Sequence, residues 1–192
     1  SGRAGMKKLW SAWQRQRIYE RLASIELLVL DVDGVLTDGG LWFNPEGQLQ
    51  KRFDVRDGLG IRLLQQAGLK LAFLSGGRGG ATEARAQQLG IEHCLVGIKD
   101  KPNALARLQG DLRVDRHHTG FIGDDLNDLA VRQQIELLIT PADACRAVRR
   151  RADWVLKRNG GHGAVREAAE AILASRGIWK NLSRHGWRDQ ND

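Results

Sequence analysis
Residues 27–38 read Leu-Leu-Val-Leu-Asp-Val-Asp-Gly-Val-Leu-Thr-Asp. Leu27 to Leu30 form a short, wholly apolar run that stops at acids and a glycine, the pattern of a buried strand in a parallel sheet. Side chains two apart on a strand point the same way, so Asp31 and Asp33 start on one face. Gly34 lets the chain turn sharply over the carboxyl edge, where open α/β sheets bind ligands. Burying two acids there costs several kcal/mol unless something compensates, and a cation is the natural compensator.

A second stretch repeats the design. Residues 119–129 read Thr-Gly-Phe-Ile-Gly-Asp-Asp-Leu-Asn-Asp-Leu, an apolar strand followed by Gly123, Asp124, Asp125 and Asp128. If the two strands are neighbours, Asp124 faces Asp31 and Asp33 across the sheet edge. Carboxylates that close take up protons unless a divalent ion sits among them. An all-oxygen donor set with no His or Cys nearby favours Mg²⁺ over zinc or copper. A lone Asp-x-Asp-Gly is an ordinary Asx turn; two acidic clusters at two strand ends point to a site.

Strand and helix signals alternate along the chain. Strands are expected at 69–74, 93–96, 119–122, 136–139 and 153–156, with helices at 57–67, 80–89, 102–108, 125–133 and 163–175. Leu9, Trp13, Ile18 and Leu22 give 7–22 a loosely helical spacing, and 40–53 reads as a hairpin turning at Asn44-Pro-Glu-Gly47. The expected fold is α/β, a Rossmann-like parallel sheet with helices on both faces and a small β-hairpin flap. The gaps after Asp38 and after 96 are too short for a separate cap domain.

The chain has 192 residues and a formal charge of +7, from 30 Lys and Arg against 23 Asp and Glu. Much of the excess lies near the ends, at Lys7, Lys8, Arg15, Arg17, Arg21, Lys180, Arg184 and Arg188. No helix-turn-helix, zinc-finger or RNA-binding signature accompanies it, so nucleic-acid binding is not expected. No apolar run reaches the ~18 residues of a membrane span. Ser-Gly-Arg-Ala-Gly before Met6 reads as a vector-derived remnant. Cys94 and Cys145 lack metal or redox spacing and fit a reducing cytoplasm.

Asp31-x-Asp-Gly-x-x-Thr-Asp38 with Gly123-Asp-Asp-x-x-Asp128 resembles the haloacid dehalogenase superfamily. Phe53-Asp-Val-Arg-Asp-Gly-Leu-Gly-Ile-Arg62 and Gly160-Gly-His-Gly-Ala-Val-Arg-Glu167 narrow the resemblance to the 3-deoxy-D-manno-octulosonate 8-phosphate phosphatase family. It covers about 24–177, leaving 1–23 as remnant and basic helical extension and 178–192 as a polar tail. The resemblance implies that Asp31 is the nucleophile and Asp33 the general acid and base. It also implies that Asp31, Asp124 and the Asp33 main-chain carbonyl hold Mg²⁺, with Asp125 and Asp128 behind them. Ser75 and the Gly76 amide, after the apolar 71–74, suit a phosphoryl oxygen. Lys101, just before a helix opened by Pro102, supplies a point charge, whereas Lys99 reads as solvated. Asp54, Val55, Arg56, Asp57, Gly58, Arg62, Arg85 and Asn127 match positions that touch a sugar acid, as do Asp33, Gly76 and Lys101. The family also implies a homotetramer whose neighbouring hairpins and tails close the sites.

Two residues depart from the family. Gly77 stands where the family has Arg, with Arg78 one place on, and His162 replaces the Arg of Gly-Gly-Arg-Gly. These changes leave the phosphatase residues intact and bear on the sugar. The leading expectation is an Mg²⁺-dependent phosphatase for 3-deoxy-D-manno-octulosonate 8-phosphate. The alternatives are a related nine-carbon acid or other small phosphate as substrate, or a non-enzymatic basic interaction module on the same fold.

Overall fold
The computed structural model describes residues 2–188, with side chains from Trp13 onward. The expectations on Lys7, Lys8, Leu9 and Trp10 therefore concern side chains outside the described set. The chain runs α1 (Gly2–Ala23), β1 (Leu27–Leu30), the hairpin β2 (Trp42–Phe43) and β3 (Leu49–Gln50), then α2 (Val55–Gln66) and β4 (Lys70–Leu74). It continues through α3 (Ala81–Gln88), β5 (His93–Leu95), α4 (Lys101–Leu112), β6 (Thr119–Ile122) and α5 (Leu126–Leu129). The last elements are β7 (Leu137–Thr140), α6 (Arg146–Arg151), β8 (Trp154–Val155), α7 (Ala164–Ser175) and α8 (Trp179–His185).

Six strands form one parallel sheet in the order β5-β4-β1-β6-β7-β8, and β2 pairs with β3 separately. The strand order reverses at β1, which places a crevice at its carboxyl end. Strand periodicity divides the core between the two faces. Leu28 and Leu30 pack with Leu22, Ile61, Leu64, Val165 and Ile172 on one side. Leu27 and Val29 pack with Leu105, Leu108, Phe121 and Val148 on the other. No helix among the described residues is long and apolar enough to cross a membrane.

Several elements differ from their expected bounds for local reasons. The helix after Lys101 runs through Gly110 and ends only at Arg113, whose left-handed φ of 54° breaks it. The segment after Asp125 is one short turn, α5, followed by a 3-10 turn at Arg132–Gln134. α6 was hidden because only Val148 faces inward along a basic stretch. Residues 178–188 of the tail lie on the domain: Leu182 and Trp187 pack against the core, the Arg166 guanidinium lies 5.6 Å from the Trp179 ring centroid, and the Trp187 indole donates to Gln66. At the other end, Arg21 ties α1 to Glu136 at 2.8 Å and Asp153 at 3.2 Å.

The first turn of α2 carries a buried acid that serves α7. Asp57 is 1% exposed, and its Oδ1 accepts from the Arg166 amide at 2.8 Å while Oδ2 has no hydrogen-bond partner. Burial pushes this carboxyl up to about 6; the Arg166 amide opposes the shift and the Asp54 charge adds to it. The folded state thus holds a proton on Asp57 more tightly than the unfolded chain does. Stability from this group is present at low pH and is lost as pH rises through about 6. Asp57→Asn removes the buried charge but keeps the acceptor for Arg166. The stability of this variant relative to the parent should rise by about 1 kcal/mol between pH 5 and pH 7.5. Urea unfolding at the two pH values measures this, and an unchanged difference would contradict it.

Candidate active site
The site is built on the end of β1. The Asp31 amide donates to the Ile122 carbonyl at 2.9 Å, extending the β1–β6 ladder by one residue. Beyond it the chain winds about a single acceptor, with the amides of Val35, Leu36 and Thr37 all directed at the Val32 carbonyl. The buried Thr37 hydroxyl accepts from the amides of Gly34 and Gly39 and closes the loop. Gly34 has φ +84°, and a Cβ there would collide with the Asp124 carboxylate. Only glycine permits both the turn and that close approach. Behind the loop, the Gly161 amide donates to the Val35 carbonyl at 3.0 Å, so the segment before α7 packs on the turn after β1.

Lys101 enters from the first residue of α4, whose N-cap Asp100 accepts from the Asn103 amide. Its ammonium is 2% exposed and lies 3.0 Å from Asp31 Oδ1 and 2.7 Å from Asp128 Oδ1. Burial opposes the charge, but the two carboxylates outweigh it and raise the lysine pKa. Asp128 Oδ2 accepts from the Asp124 and Asp125 amides, so Asp128 both fixes Lys101 and shapes the loop after β6.

One ammonium does not balance three carboxylates. An oxygen from each of Asp31, Asp124 and Asp128 lies within 4.8 Å of the others. Burial, then the neighbouring Asp128 charge, raises the Asp31 pKa despite Lys101. Burial and a hydrogen bond with Asp31 raise that of Asp124 further. A carboxyl pair driven to share a proton is what a hard divalent cation replaces, and the all-oxygen donors suit Mg²⁺. Both Asp128 oxygens are already engaged, by Lys101 and by the two loop amides, so Asp31 and Asp124 are the pair that could hold such an ion.

The remaining predicted residues fall into two groups. Asp33, Ser75, Gly76 and Asn127 gather around the same crevice. Ser75 is buried, its Oγ accepting from the Gly77 amide at 3.1 Å, and Asn127 Nδ2 lies 3.8 Å from the Cβ position of Gly76. Lys99 is exposed, in keeping with its reading as a solvated lysine. Along α2 and α3 the picture is mixed. Asp54 caps α2 through the Arg56 amide and also holds the Arg56 guanidinium, while Val55 is 79% exposed. Arg85 reaches across Gly58 to the Asp54 carbonyl at 3.2 Å, and Arg62 donates to the Gln88 carbonyl. The Asp57 carboxylate accepts from the Arg166 amide in the first turn of α7.

One residue at the site escaped the sequence reading. Lys51 directly follows β3, and its side chain is 1% exposed with Nζ 2.8 Å from Asp33 Oδ1. A lysine after a short polar strand looks solvated; only the fold of the hairpin brings it inward.

No family model matches the chain. It is 40% identical over 156 residues to the 3-deoxy-D-manno-octulosonate 8-phosphate phosphatase of Yersinia pestis, covering 81% of this chain and 83% of that protein. The crystal structure of the phosphatase of the same name from Moraxella catarrhalis, in complex with magnesium ion, phosphate ion and KDO, superposes with a TM-score of 0.84 at 37% identity. The match covers 88% of this chain and 97% of that one. A HAD-superfamily subfamily III A hydrolase from Legionella pneumophila gives a TM-score of 0.88 at 36% identity, covering 93% and 97%. With these relatives matched along nearly the whole domain, and its acids gathered at the end of β1, this chain belongs to the 3-deoxy-D-manno-octulosonate 8-phosphate phosphatase family of the haloacid dehalogenase superfamily.

Proposed function
We propose that the protein hydrolyses 3-deoxy-D-manno-octulosonate 8-phosphate with Mg²⁺, through a phosphoryl group carried on Asp31. The observation that carries this reading is the buried Asp31 carboxylate, held at 3.0 Å by Lys101 and crowded by Asp124. Asp31 attacks phosphorus and the bond to the sugar oxygen breaks, while Asp33 gives that oxygen a proton. Asp33 then takes a proton from water, whose oxygen bonds to phosphorus as the Asp31–phosphorus bond breaks. The Ser75 hydroxyl, the Gly76 amide and Lys101 are the groups we assign to the phosphoryl oxygens. Mg²⁺, held by Asp31, Asp124 and the Asp33 carbonyl, would offset the negative charge that keeps nucleophile and phosphate apart.

Sugar-acid recognition is assigned to Asp54, Val55, Arg56, Asp57, Gly58, Arg62, Arg85 and Asn127, the arginines suiting a substrate that carries both phosphate and carboxylate. Residues 24–177 form the catalytic domain in this reading, flanked by 1–23 and 178–192. Leu41, Trp42, Phe43 and Val55 are between 51% and 79% exposed near the crevice. That apolar surface favours a homotetramer in which hairpins cover neighbouring sites. A cytoplasmic location fits the two free cysteines. Gly77 in place of Arg bears on which sugar is taken, and the alternatives are a nine-carbon acid or another small phosphate.

Phosphate release should be seen with the eight-carbon substrate and Mg²⁺ and should vanish with EDTA. Asp31→Asn should lower turnover by more than about 1,000-fold without changing the circular dichroism spectrum. Unchanged turnover would remove Asp31 from the chemistry. A panel that includes nine-carbon acid and neutral hexose phosphates tests the sugar, and preference for the hexoses would overturn the sugar-acid assignment.

A further inference from the structure
We infer that Lys51 is a positioning residue for Asp33, fixing the carboxyl that serves the leaving oxygen and thereby tying the hairpin to the chemistry. This rests on the phosphatase reading above. A lysine normally keeps its ammonium in water while its stem covers apolar surface. Here the whole side chain is 1% exposed, and burial of a charge demands a partner. The partner is Asp33, with Nζ 2.8 Å from Oδ1 and 3.1 Å from Oδ2. Thr82 Oγ1, buried on α3, accepts from the same ammonium at 3.3 Å. Asp33 is thus gripped between its own loop and a cation from another element.

Gly77 leaves the room for this pair. A Cβ at Gly77 would stand 2.6 Å from Asp33 Oδ2 and 3.5 Å from Lys51 Nζ. A side chain there would turn Asp33 out of its present orientation. Gly77 thus borders both members of the pair, Asp33 and Lys51. Lys51 immediately follows β3, and the next residue, Arg52, donates to the Gly161 carbonyl at 3.0 Å behind the catalytic turn. A shift of the hairpin is consequently passed to Asp33 through a single residue.

The test compares two phosphate esters by kcat/KM with Mg²⁺. The eight-carbon sugar-acid phosphate has an alkoxide leaving group that needs a proton, whereas p-nitrophenyl phosphate has one that does not. Lys51→Met should lower kcat/KM for the alkyl ester by about 30-fold or more and for the aryl ester by less than about 3-fold, as Asp33→Asn should. Lys51→Arg should restore the alkyl ester to within about 5-fold of the parent, and Lys51→Met combined with Asp33→Asn should lose no more than Asp33→Asn alone. If Lys51→Met does not fold, Lys51→Gln, which also removes the ammonium, should give the same split. Equal losses on both esters in a folded variant, or no loss, would overturn the inference alone. A parent protein inactive on both esters would overturn the phosphatase reading and the inference with it, and Asp33→Asn without a leaving-group dependence would overturn the role given to Asp33.

Discussion
The structure depends on an unbalanced cluster of buried charge. Lys101 satisfies Asp31 and Asp128 at 3.0 and 2.7 Å, but Asp124 is pressed against Asp31 and pairs with no cation among the described residues. Such a cluster is unfavourable in a protein interior, and it persists because the surrounding fold over-determines it. Each member comes from a different segment: Asp31 from the end of β1, Lys101 from the start of α4, Asp124 and Asp128 from the turn after β6. Their backbones are set by the sheet ladder, by the Asp100 cap and by the hydrogen bonds of Asp128. The side chains therefore cannot separate to relieve the repulsion.

The same constraint explains the tight turns. The Asp124 carboxylate occupies the space a side chain at residue 34 would need, and the segment before α7 is fastened to the Val35 carbonyl. α7 is in turn fastened to α2 by Asp57. The two segments that narrowed the family resemblance, around 53–62 and 160–167, thus meet each other in space, with Asp57 on the Arg166 amide. Asp57 thereby ties α2 to α7, and the Gly161 amide ties the segment before α7 to the turn after β1.

The parallel sheet and the acidic pair were legible because they follow local rules. Leu27 to Leu30 reads as a doubly buried strand, and acids beside a glycine at two strand ends mark the binding edge. Lys101 was readable from its place before Pro102. Lys51 was not, since nothing in its neighbourhood distinguishes it from a solvated lysine and its burial depends on where the hairpin lies. Asp57 was marked by its motif, and the structure adds what the motif does not show, that its carboxylate accepts from an amide opening α7. α6 and α8 were missed because short basic segments carry too few inward-facing residues to show a period.

The central claim is that a divalent cation replaces a proton shared within the Asp31–Asp124 pair. Calorimetric titration of Mg²⁺ at pH 7 in two buffers of different ionisation enthalpy measures that exchange directly. Binding should release up to about one proton per ion, and both the heat and its buffer dependence should be lost in Asp124→Asn. Absence of Mg²⁺ binding, or binding whose heat is the same in both buffers, would contradict the account.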